Sequence, residues 1–436
     1  MSKKPEFEIS YGVLKKYNGG GGVVVIPDSV QIIGGGAFSG CQNVTEVVIP
    51  HSVVKILGGA FSHCKGLVKV TIPDSVYSIG EGAFEECIAL TEIVIPDSVT
   101  EIGKSAFLGC RQLTRVVLSN RLKSIECNLF TACTGLTEIV IPDSVKTVES
   151  SAFVLCQSLC RAVIGNSVRK VAMDAFLGCK ALSHVAIGDS FTVKACDSLG
   201  LGSSLEQVQV SEGNPHIKSV DGVIYSADMS KLIVYPKGRQ AECFTVPGTV
   251  TCICDRAFRD CVDLHRVVIP KTVKKIGDYA FSGCVNLCID GVSTSPKSIG
   301  CCAFSGIKEL ILPGKIEPEW LSVLVGCTPP EKLLVSVESA GILFSEFKYP
   351  IIRGFLKKWK CGELSEAETE QVATLIKGNL LRTFDQLGEH MVLYEFAIEN
   401  NIITKQNVKK LLERIESAEC RAILHNYLWE LANKTK

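Results

Sequence analysis

The stretch Leu90–Cys110, LTEIVIPDSVTEIGKSAFLGC, recurs along the chain with a spacing of 23 residues. Its most regular position is a phenylalanine, which occurs seven times at that spacing and returns after a gap: Phe38, Phe61, Phe84, Phe107, Phe130, Phe153 and Phe176, then Phe258, Phe281 and Phe304. A cysteine stands three residues after nine of them: Cys41, Cys64, Cys87, Cys110, Cys133, Cys156, Cys179, Cys261 and Cys284. A fixed period of this length predicts a repeat architecture in which each unit is one coil of a solenoid.

Each repeat predicts a short strand followed by a turn. Apolar and polar residues alternate over Leu90–Ile95, so that Ile93 should point into the solenoid and its neighbours outward. Pro96 ends the strand because proline has no N–H to donate to a ladder. A second short extended stretch is expected at Ile102, with Phe107 in a helical turn or loop. Since one coil cannot bury its apolar side alone, we expect about 11 coils stacked roughly 5 Å apart.

The 21 cysteines are explained mainly by the repeat. Nine of them share one inward position, where cysteine serves as a compact hydrophobic side chain. We therefore predict a column of buried, reduced thiols, although the spacing of the coils would also permit disulfides. The pairs Cys252–Cys254 and Cys301–Cys302 lie outside the column and lack further His or Cys ligands at zinc-finger spacing, so no metal site is predicted.

The period divides the chain into blocks. Phe176 and Phe258 are 82 residues apart, which is not a multiple of 23. Between them, Asp221–Pro236 has the pattern of a β-hairpin, and residues 8–26 resemble it. The predicted segments are an N-terminal cap (1–25), a first repeat block (26–187), an interruption with the hairpin (188–246), a second repeat block (247–313) and a C-terminal α-helical module (314–436).

The C-terminal segment has helical rather than 23-residue spacing. Ser365–Glu368 reads as a capping box, in which serine and glutamate satisfy each other's backbone N–H groups. Thr404 is the expected N-cap of a helix over Lys405–Ile415, and a last helix should run to about Leu431. The module is either a cap on the solenoid or a separate partner-binding module.

Charge and hydropathy exclude several classes of protein. The 46 basic residues equal the 46 acidic ones, which argues against nucleic acid or an anionic membrane as the partner. No run approaches the roughly 18 apolar residues of a membrane span. The opening MSKKPEFEIS has no apolar stretch behind its basic residues. The sequence as written therefore predicts a cytoplasmic protein, with the cell surface as the alternative.

Motifs of enzymes and cofactor sites are not supported by their surroundings. The glycines at 19–22 lack a following Lys-Ser or Lys-Thr, and Gly103-Lys104-Ser105 has Ser98 where a phosphate-binding loop needs glycine. The seven histidines are scattered. An aspartate column is broken by other residues and suits turns better than a cation: Asp28, Asp74, Asp97 and Asp143. We predict no catalytic residue, no cofactor and no bound metal.

The outward strand positions form two columns. One column alternates in charge from coil to coil: Glu46, Lys69, Glu92, Arg115, Glu138 and Arg161. The other is mostly valine: Val48, Thr71, Val94, Val117, Val140 and Val163. Opposite charges on neighbouring strands stabilise a sheet, and each charge should have an opposite one on both sides. An extended apolar strip also marks interaction sites, so these twelve residues are our candidate protein-binding face.

The repeat resembles the BspA-type (Treponema pallidum-type) leucine-rich-repeat family. The resemblance rests on the repeated Ile-Pro-Asp-Ser-Val, Ile-Gly-x-x-Ala-Phe and Cys-x-x-Leu-Thr, and covers roughly residues 8–313. It implies a bacterial or protist origin, a curved leucine-rich-repeat solenoid and a protein-binding role, and its cell-surface members act as adhesins. Two hypotheses follow: a non-catalytic protein–protein interaction scaffold, or an exported cell-surface adhesin that binds host or matrix proteins.

Overall fold

A computed structural model describes residues 5–196, 204–290, 298–312, 332–335, 350–378, 383–384, 387, 390–404 and 406–433. The chain forms two compact units, residues 1–240 with 256–258, and residues 241–255 with 259–436. Coils stack to form a β-solenoid of about 12 coils, and helices follow after residue 350. The predicted leucine-rich-repeat solenoid with a C-terminal α-helical module is thereby confirmed, with about one coil more than expected.

One set of strands lies parallel from coil to coil. In the first unit the paired residues of this set are almost always 23 positions apart, as Glu92 and Arg115 are. The strands of this set in the first unit are β3 (Gly22–Val25), β5 (Val44–Val48), β7 (Lys69–Thr71), β9 (Glu92–Val94), β11 (Arg115–Val117), β13 (Glu138–Ile141), β15 (Arg161–Ile164), β17 (His184–Ile187) and β18 (Gln207–Val210). Those of the second unit are β22 (Cys243–Thr245), β24 (Arg266–Val268), β26 (Cys288–Asp290), β28 (Glu309–Leu312) and β29 (Lys332–Val335).

A second set of parallel strands has two residues per coil. It follows the turn after the first strand of each repeat, where the second extended stretch was predicted. Its members are β4 (Ile32–Ile33), β6 (Lys55–Ile56), β8 (Ser78–Ile79), β10 (Glu101–Ile102), β12 (Ser124–Ile125), β14 (Thr147–Val148), β16 (Lys170–Val171), β23 (Cys252–Ile253), β25 (Lys275–Ile276) and β27 (Ser298–Ile299). The isoleucine or valine of each strand points inward, as Ile102 does.

The phenylalanine column forms a stack of rings through the core of the first unit. From Phe38 to Phe176 adjacent ring centroids are 4.8 to 5.6 Å apart, and adjacent planes are within 16° of parallel. Phe107 is fully buried, as are the inward Leu90 and Ile93 of the same repeat. The spacing of the rings therefore agrees with the spacing of the strands, and a single distance between adjacent coils suits both.

The cysteine column lies beside the rings, as predicted. Each thiol of this column from Cys64 to Cys179 donates a hydrogen bond to the carbonyl oxygen of the phenylalanine in the coil before. Cys110 Sγ, for example, donates to Phe84 O at 3.2 Å. The corresponding distances range from 3.0 to 3.2 Å. The twenty cysteines in the described ranges are all reduced, and in the column only Cys41 is partly exposed.

Two positions in most coils have left-handed backbone, which the repeat pattern did not predict. They fall on both sides of the phenylalanine: Gly36, Gly59, Gly82, Ser105, Asn128 and Ser151 in one column, and Gly40, His63, Glu86, Gly109, Ala132, Leu155 and Gly178 in the other. At the second position the backbone N–H donates to the next coil, as His63 does to Glu85 O at 2.7 Å. This hydrogen bond holds even non-glycine residues in a conformation that costs L-residues about 1–2 kcal/mol.

Two hairpin-like segments are each followed by a tyrosine stacked on a phenylalanine, or contain one. β1 (Phe7–Ser10) and β2 (Val13–Tyr17) form the N-terminal cap, and Tyr17 stacks on Phe38 with centroids 4.9 Å apart. The interruption contains β19 (Ile217–Val220), β20 (Val223–Ser226) and β21 (Lys231–Val234), after which Tyr235 stacks on Phe258 at 5.0 Å. Both antiparallel turns have two consecutive residues with positive φ, at 11–12 and 221–222. The resemblance of the two segments in sequence thus corresponds to a shared role.

The parallel ladder extends beyond the stretches in which the repeat pattern is visible. β18 pairs with β17 in the unchanged register, His184 with Gln207, although residues 188–246 break the phenylalanine period. β29 pairs with β28, Glu309 with Lys332, where the sequence indicated helices. A parallel ladder requires backbone register and inward apolar residues such as Val208, and does not require the phenylalanine or the cysteine.

The C-terminal helices are α1 (350–360), α2 (Glu366–Lys377), α3 (Met391–Glu399), α4 (Val408–Leu412) and α5 (Ala418–Asn433). The capping box of α2 is confirmed, since Ser365 Oγ accepts from Glu368 N and Ser365 N donates to Glu368 Oε2 at 2.9 Å. The prediction for Thr404 was wrong: α4 begins later, with Asn407 as its N-cap. The Asn407 side chain accepts from Thr404 N at 2.7 Å and closes a turn ahead of the helix.

We expect Phe107→Ala to lower the free energy of unfolding by about 3–5 kcal/mol, because it opens a cavity in a close-packed ring column. Calorimetry or denaturant unfolding measures the loss, and Leu155→Ala, at a half-exposed position, is the control. Hydrogen exchange should rise first in the coils next to residue 107. Uniform loosening of the whole chain would contradict coil-to-coil stability.

We expect Ala132→Gly to raise the free energy of unfolding, by up to about 1 kcal/mol. Ala132 has φ 59°, and glycine adopts this conformation without the steric cost. The matched control is Ala152→Gly, at a buried position without positive φ, which should lose about 0.5–1 kcal/mol. Equal destabilisation by both variants would mean that the left-handed position stores no strain.

Candidate protein-binding surface

The outward side chains of β5, β7, β9, β11, β13 and β15 form one surface, which we call the strand face. Its charged column consists of Glu46, Lys69, Glu92, Arg115, Glu138 and Arg161, and its valine column of Val48, Thr71, Val94, Val117, Val140 and Val163. Successive residues of a strand point to opposite sides, so Ile93 is buried while Val94 is 49% exposed. The structure therefore brings all twelve predicted residues to one side of the coils.

Strand register aligns the two columns across neighbouring coils. Arg115 lies opposite Glu92 and Val117 opposite Val94, and the same offset relates β13 to β15. The hydrogen-bonded sheets are β3–β5–β7, β9–β11 and β13–β15–β17–β18. The strand face consequently spans three short sheets that follow one another in the stack.

The charges of the strand face are neutralised in pairs. Lys69 Nζ lies 3.0 Å from Glu46, and Arg115 Nη1 lies 3.5 Å from Glu92 Oε2. Arg161 Nε lies 3.4 Å from Glu138 Oε1. Each recorded pair joins a basic residue to the coil before it, whereas the sequence suggested an opposite charge on both sides. Exposed pairs of this kind contribute roughly 0–1 kcal/mol each.

The valine column is an exposed apolar strip along the strand face. Val94 and Val140 are about half exposed, Val48 and Val117 somewhat over a third, and Val163 is partly covered. The strip ends where Ala186 and then the polar Gln209 occupy the same position in β17 and β18. Contiguous exposed apolar side chains of this extent are typical of a surface that another protein covers.

A third column of small polar side chains lies beside the charged column, and the sequence reasoning missed it. Thr114 Oγ1 donates to Thr91 O at 3.1 Å, and Cys160 Sγ donates to Thr137 O at 3.2 Å. These side chains satisfy backbone carbonyls at the outer edge of the ladder. The recurring Leu-Thr of the repeat was the signal that pointed to them.

At β17 and β18 the strand surface becomes polar and forms two adjoining depressions. One has a volume of about 530 Å³ and is lined by Arg161, His184, Gln207 and Gln209, among others. The other, of about 460 Å³, lies between His184, Asp221 and Arg239. The repeat pattern could not locate them, because β18 carries no phenylalanine signal.

In the second unit the same outward position becomes buried from strand to strand. The residues at this position are exposed at Cys243 and Arg266, half-buried at Cys288 and only 5% exposed at Glu309. Lys357 Nζ, on α1, donates to both carboxylate oxygens of Glu309, at 2.8 and 2.9 Å. Glu309 is also the main cause of the raised pKa of Lys357. Lys357 of helix α1 thus reaches the outward carboxylate of β28.

Other chemically active groups within the described ranges serve packing and turns. Burial raises the pKa of the Cys110 and Cys179 thiols to about 12, so these two column thiols are poor nucleophiles. Asp97 of the aspartate column accepts a hydrogen bond from the backbone N–H of Asn120 at 2.8 Å. Within the described ranges no three His, Cys, Asp or Glu side chains are grouped to hold a metal ion.

A family model for the BspA type leucine rich repeat region matches residues 22–137, 79–198, 123–220 and 236–318. These matches together span more than half of the chain. The chain belongs to this family. The resemblance inferred from the repeat is therefore confirmed, and the protein is a leucine-rich-repeat scaffold. No curated protein matches the chain as a relative.

Solved structures with similar coils come from several bacteria. A leucine rich cell surface protein from Faecalibacterium prausnitzii is 26% identical over 77% of this chain and 96% of its own, with a TM-score of 0.48. A leucine-rich repeat protein from Bacteroides ovatus is 24% identical over 77% and 97%, with a TM-score of 0.44. The leucine rich repeat protein of T. pallidum is 25% identical over 48% and 85%, with a TM-score of 0.33. Among the helices that are described here, none has the length and apolar character needed to span a bilayer.

We expect the column thiols to resist alkylation in the native protein at pH 8, because burial keeps them protonated and out of reach. Exposed cysteines such as Cys160, Cys243 and Cys361 should react. After unfolding in denaturant without reductant, nearly all 21 thiols should react. Peptide mapping by mass spectrometry measures both states. Recovery of only a few thiols would demonstrate disulfides and overturn the reduced column.

Proposed function

We propose that this protein is a non-catalytic protein–protein interaction scaffold that binds its partner on the strand face. The observation that carries the proposal is the valine column, with Val94, Val117 and Val140 exposed on a regular, rigid ladder. Such a strip loses solvent-exposed apolar area only when another molecule covers it. Paired charges beside it fix the orientation of a partner more than they add affinity.

An ion pair in the second unit supports the proposal of a helical partner. There Lys357 of helix α1 pairs with the buried Glu309, an outward residue of β28. Six strands at about 4.8 Å spacing give the strand face a length of about 24 Å. An α-helix of about 16 residues has that length. A helical segment of a partner therefore suits the strand face in size and in chemistry.

A binding role accounts for the surface better than catalysis does. The closest approach of a hydroxyl to an imidazole on this surface joins Ser183 Oγ and His184 Nδ1, 2.9 Å apart on adjacent residues. Ser183 is partly exposed and His184 fully so, in an open depression that does not exclude water. Charge stabilisation in a transition state depends on a site from which water is excluded. We therefore assign no catalytic residue.

The chemistry of the thiols favours a reducing compartment for this scaffold. A cysteine-rich chain in an oxidising environment normally uses its thiols in disulfides, whereas the column thiols here hydrogen-bond to phenylalanine carbonyls. We propose a cytoplasmic scaffold on this ground. An exported adhesin remains the second hypothesis, and the thiol count after denaturation separates the two. Disulfides in the native chain would favour the adhesin.

We expect Val117→Lys to abolish partner capture while leaving the melting temperature nearly unchanged. The side chain points outward, so the lysine disrupts the apolar strip without entering the core. Leu177→Lys is the matched control, because Leu177 is 47% exposed and lies outside the strand face. The measurement is affinity capture from lysate and from host-matrix proteins, with a melting curve for each variant.

Arg115→Glu tests the charged column in the same assay. It places three acidic residues in a row with Glu92 and Glu138, and should lower stability by less than about 1 kcal/mol. Photo-cross-linking from position 117, with position 177 as control, then identifies what touches the surface. If Val117→Lys captures every partner that the parent captures, the strand face is purely structural and the helical module becomes the candidate.

A further inference from the structure

Two adjacent cysteines occupy an exposed turn of the second unit, where the repeat has no packing use for them. Cys301 and Cys302 follow β27, at the positions held by Asp278 and Tyr279 one coil earlier. Cys301 is exposed and Cys302 is partly exposed, in contrast to the buried column cysteine Cys284. In the column, cysteine serves as a compact buried hydrophobic side chain, and it does not serve that purpose in this turn.

Hydrogen bonds from the coil before hold the backbone N–H and the carbonyl oxygen of Cys301 in place. Cys301 N donates to Asp278 Oδ1 at 2.7 Å, and Cys301 O accepts from Tyr279 N at 2.8 Å. Asp278 is itself fixed, because its N–H donates to Asp255 Oδ1 at 3.0 Å. Cys302 has φ 53°, and Arg256 and Tyr279 have the same left-handed backbone at this position in the two coils before. The turn thus holds the pair in the backbone geometry that the repeat uses in other coils.

The two sulfur atoms lie 3.5 Å apart. A disulfide bond needs about 2.05 Å, so its formation would require the pinned backbone to move. Two thiolates on one tetrahedral metal ion, with metal–sulfur bonds of about 2.3 Å, are separated by about 3.8 Å. The observed separation is much closer to the second arrangement than to the first.

Two thiols side by side suit a soft cationic or metalloid centre. The Asp278 carboxylate, which accepts the hydrogen bond from Cys301 N, lies so close to Gly300 that a side chain there would collide with its Oδ1. Soft thiolate ligands select soft ions over magnesium or calcium.

We propose that Cys301 and Cys302 form a two-sulfur binding site for a soft, thiophilic metal or metalloid ion. With a trivalent organoarsenical oxide, both thiols form As–S bonds, and the arsenic–oxygen bond breaks. The oxygen leaves as water with the two thiol protons, and arsenic remains trivalent. With a divalent soft metal ion, both thiols bind as thiolates and release two protons. Neither reaction requires an oxidant or a reductant.

Phenylarsine oxide tests the pair directly in the full-length reduced protein. Monothiol washing removes arsenic held by one sulfur, and mass spectrometry then counts what remains. We expect one monothiol-resistant arsenic per chain, which a dithiol removes. Cys301→Ser and Cys302→Gly should each lose it, and glycine at 302 suits the left-handed turn, so this variant keeps the fold. Cys243→Ser and Cys361→Ser are matched controls, because each removes a single exposed thiol.

A parallel Cd²⁺ titration distinguishes a metal site from a metalloid site. Cadmium binding that weakens at least tenfold in both Cys301→Ser and Cys302→Gly assigns the site to soft metal ions. Retention of arsenic alone assigns it to metalloids. The proposal is overturned if the parent retains neither, if Cys301→Ser retains the arsenic, or if the retained arsenic maps to another pair such as Cys252 and Cys254.

Discussion

Stacking of the phenylalanine rings at the same interval as the strands is the constraint that sets the geometry of the repeat coils. Adjacent rings such as Phe84 and Phe107 have centroids 5.3 Å apart and parallel planes, and the paired strands need a spacing of about 4.8 Å. A period of 23 residues satisfies both requirements in the coils from Phe38 to Phe176. An insertion within a coil would break both sets of contacts together, and after the interrupted stretch the ring of Tyr235 stacks on Phe258.

The same constraint explains why much of the fold could be predicted from the sequence. Once each coil adds one strand in fixed register, the side chains of Val94 and Val117 must align, and their exposure follows from alternation along the strand. The left-handed positions were harder, because Glu86 and Leu155 carry no signal for positive φ. Hydrogen bonds to the next coil impose the left-handed backbone at these residues. A local sequence pattern does not reveal such tertiary contacts.

Tertiary contacts also limit what could be predicted at the candidate surface. The position of Glu309 along its strand places it on the outward side, where a carboxylate should be solvated. Its charge is paired instead with Lys357, 48 residues away, on a helix that belongs to no repeat. Breaking such a pair would leave an uncompensated buried charge. Surface assignments made by periodicity are therefore reliable within the ladder, and need three-dimensional information wherever a non-repeating segment packs on it.

Cysteine shows how one residue type acquires two roles from burial alone. Cys110 is enclosed between coils, where its thiol donates to the Phe84 carbonyl and burial raises its pKa to about 12, so it acts as a packing residue. Cys301 stands in a turn at the surface, 3.5 Å from a second sulfur, and its backbone is held by Asp278. Because the ring stack and the inward aliphatic residues carry the stability of a coil, its exposed turn can hold reactive side chains without endangering the fold. The strand face has the same freedom: its outward valines can be fitted to a partner while the inward residues maintain the ladder.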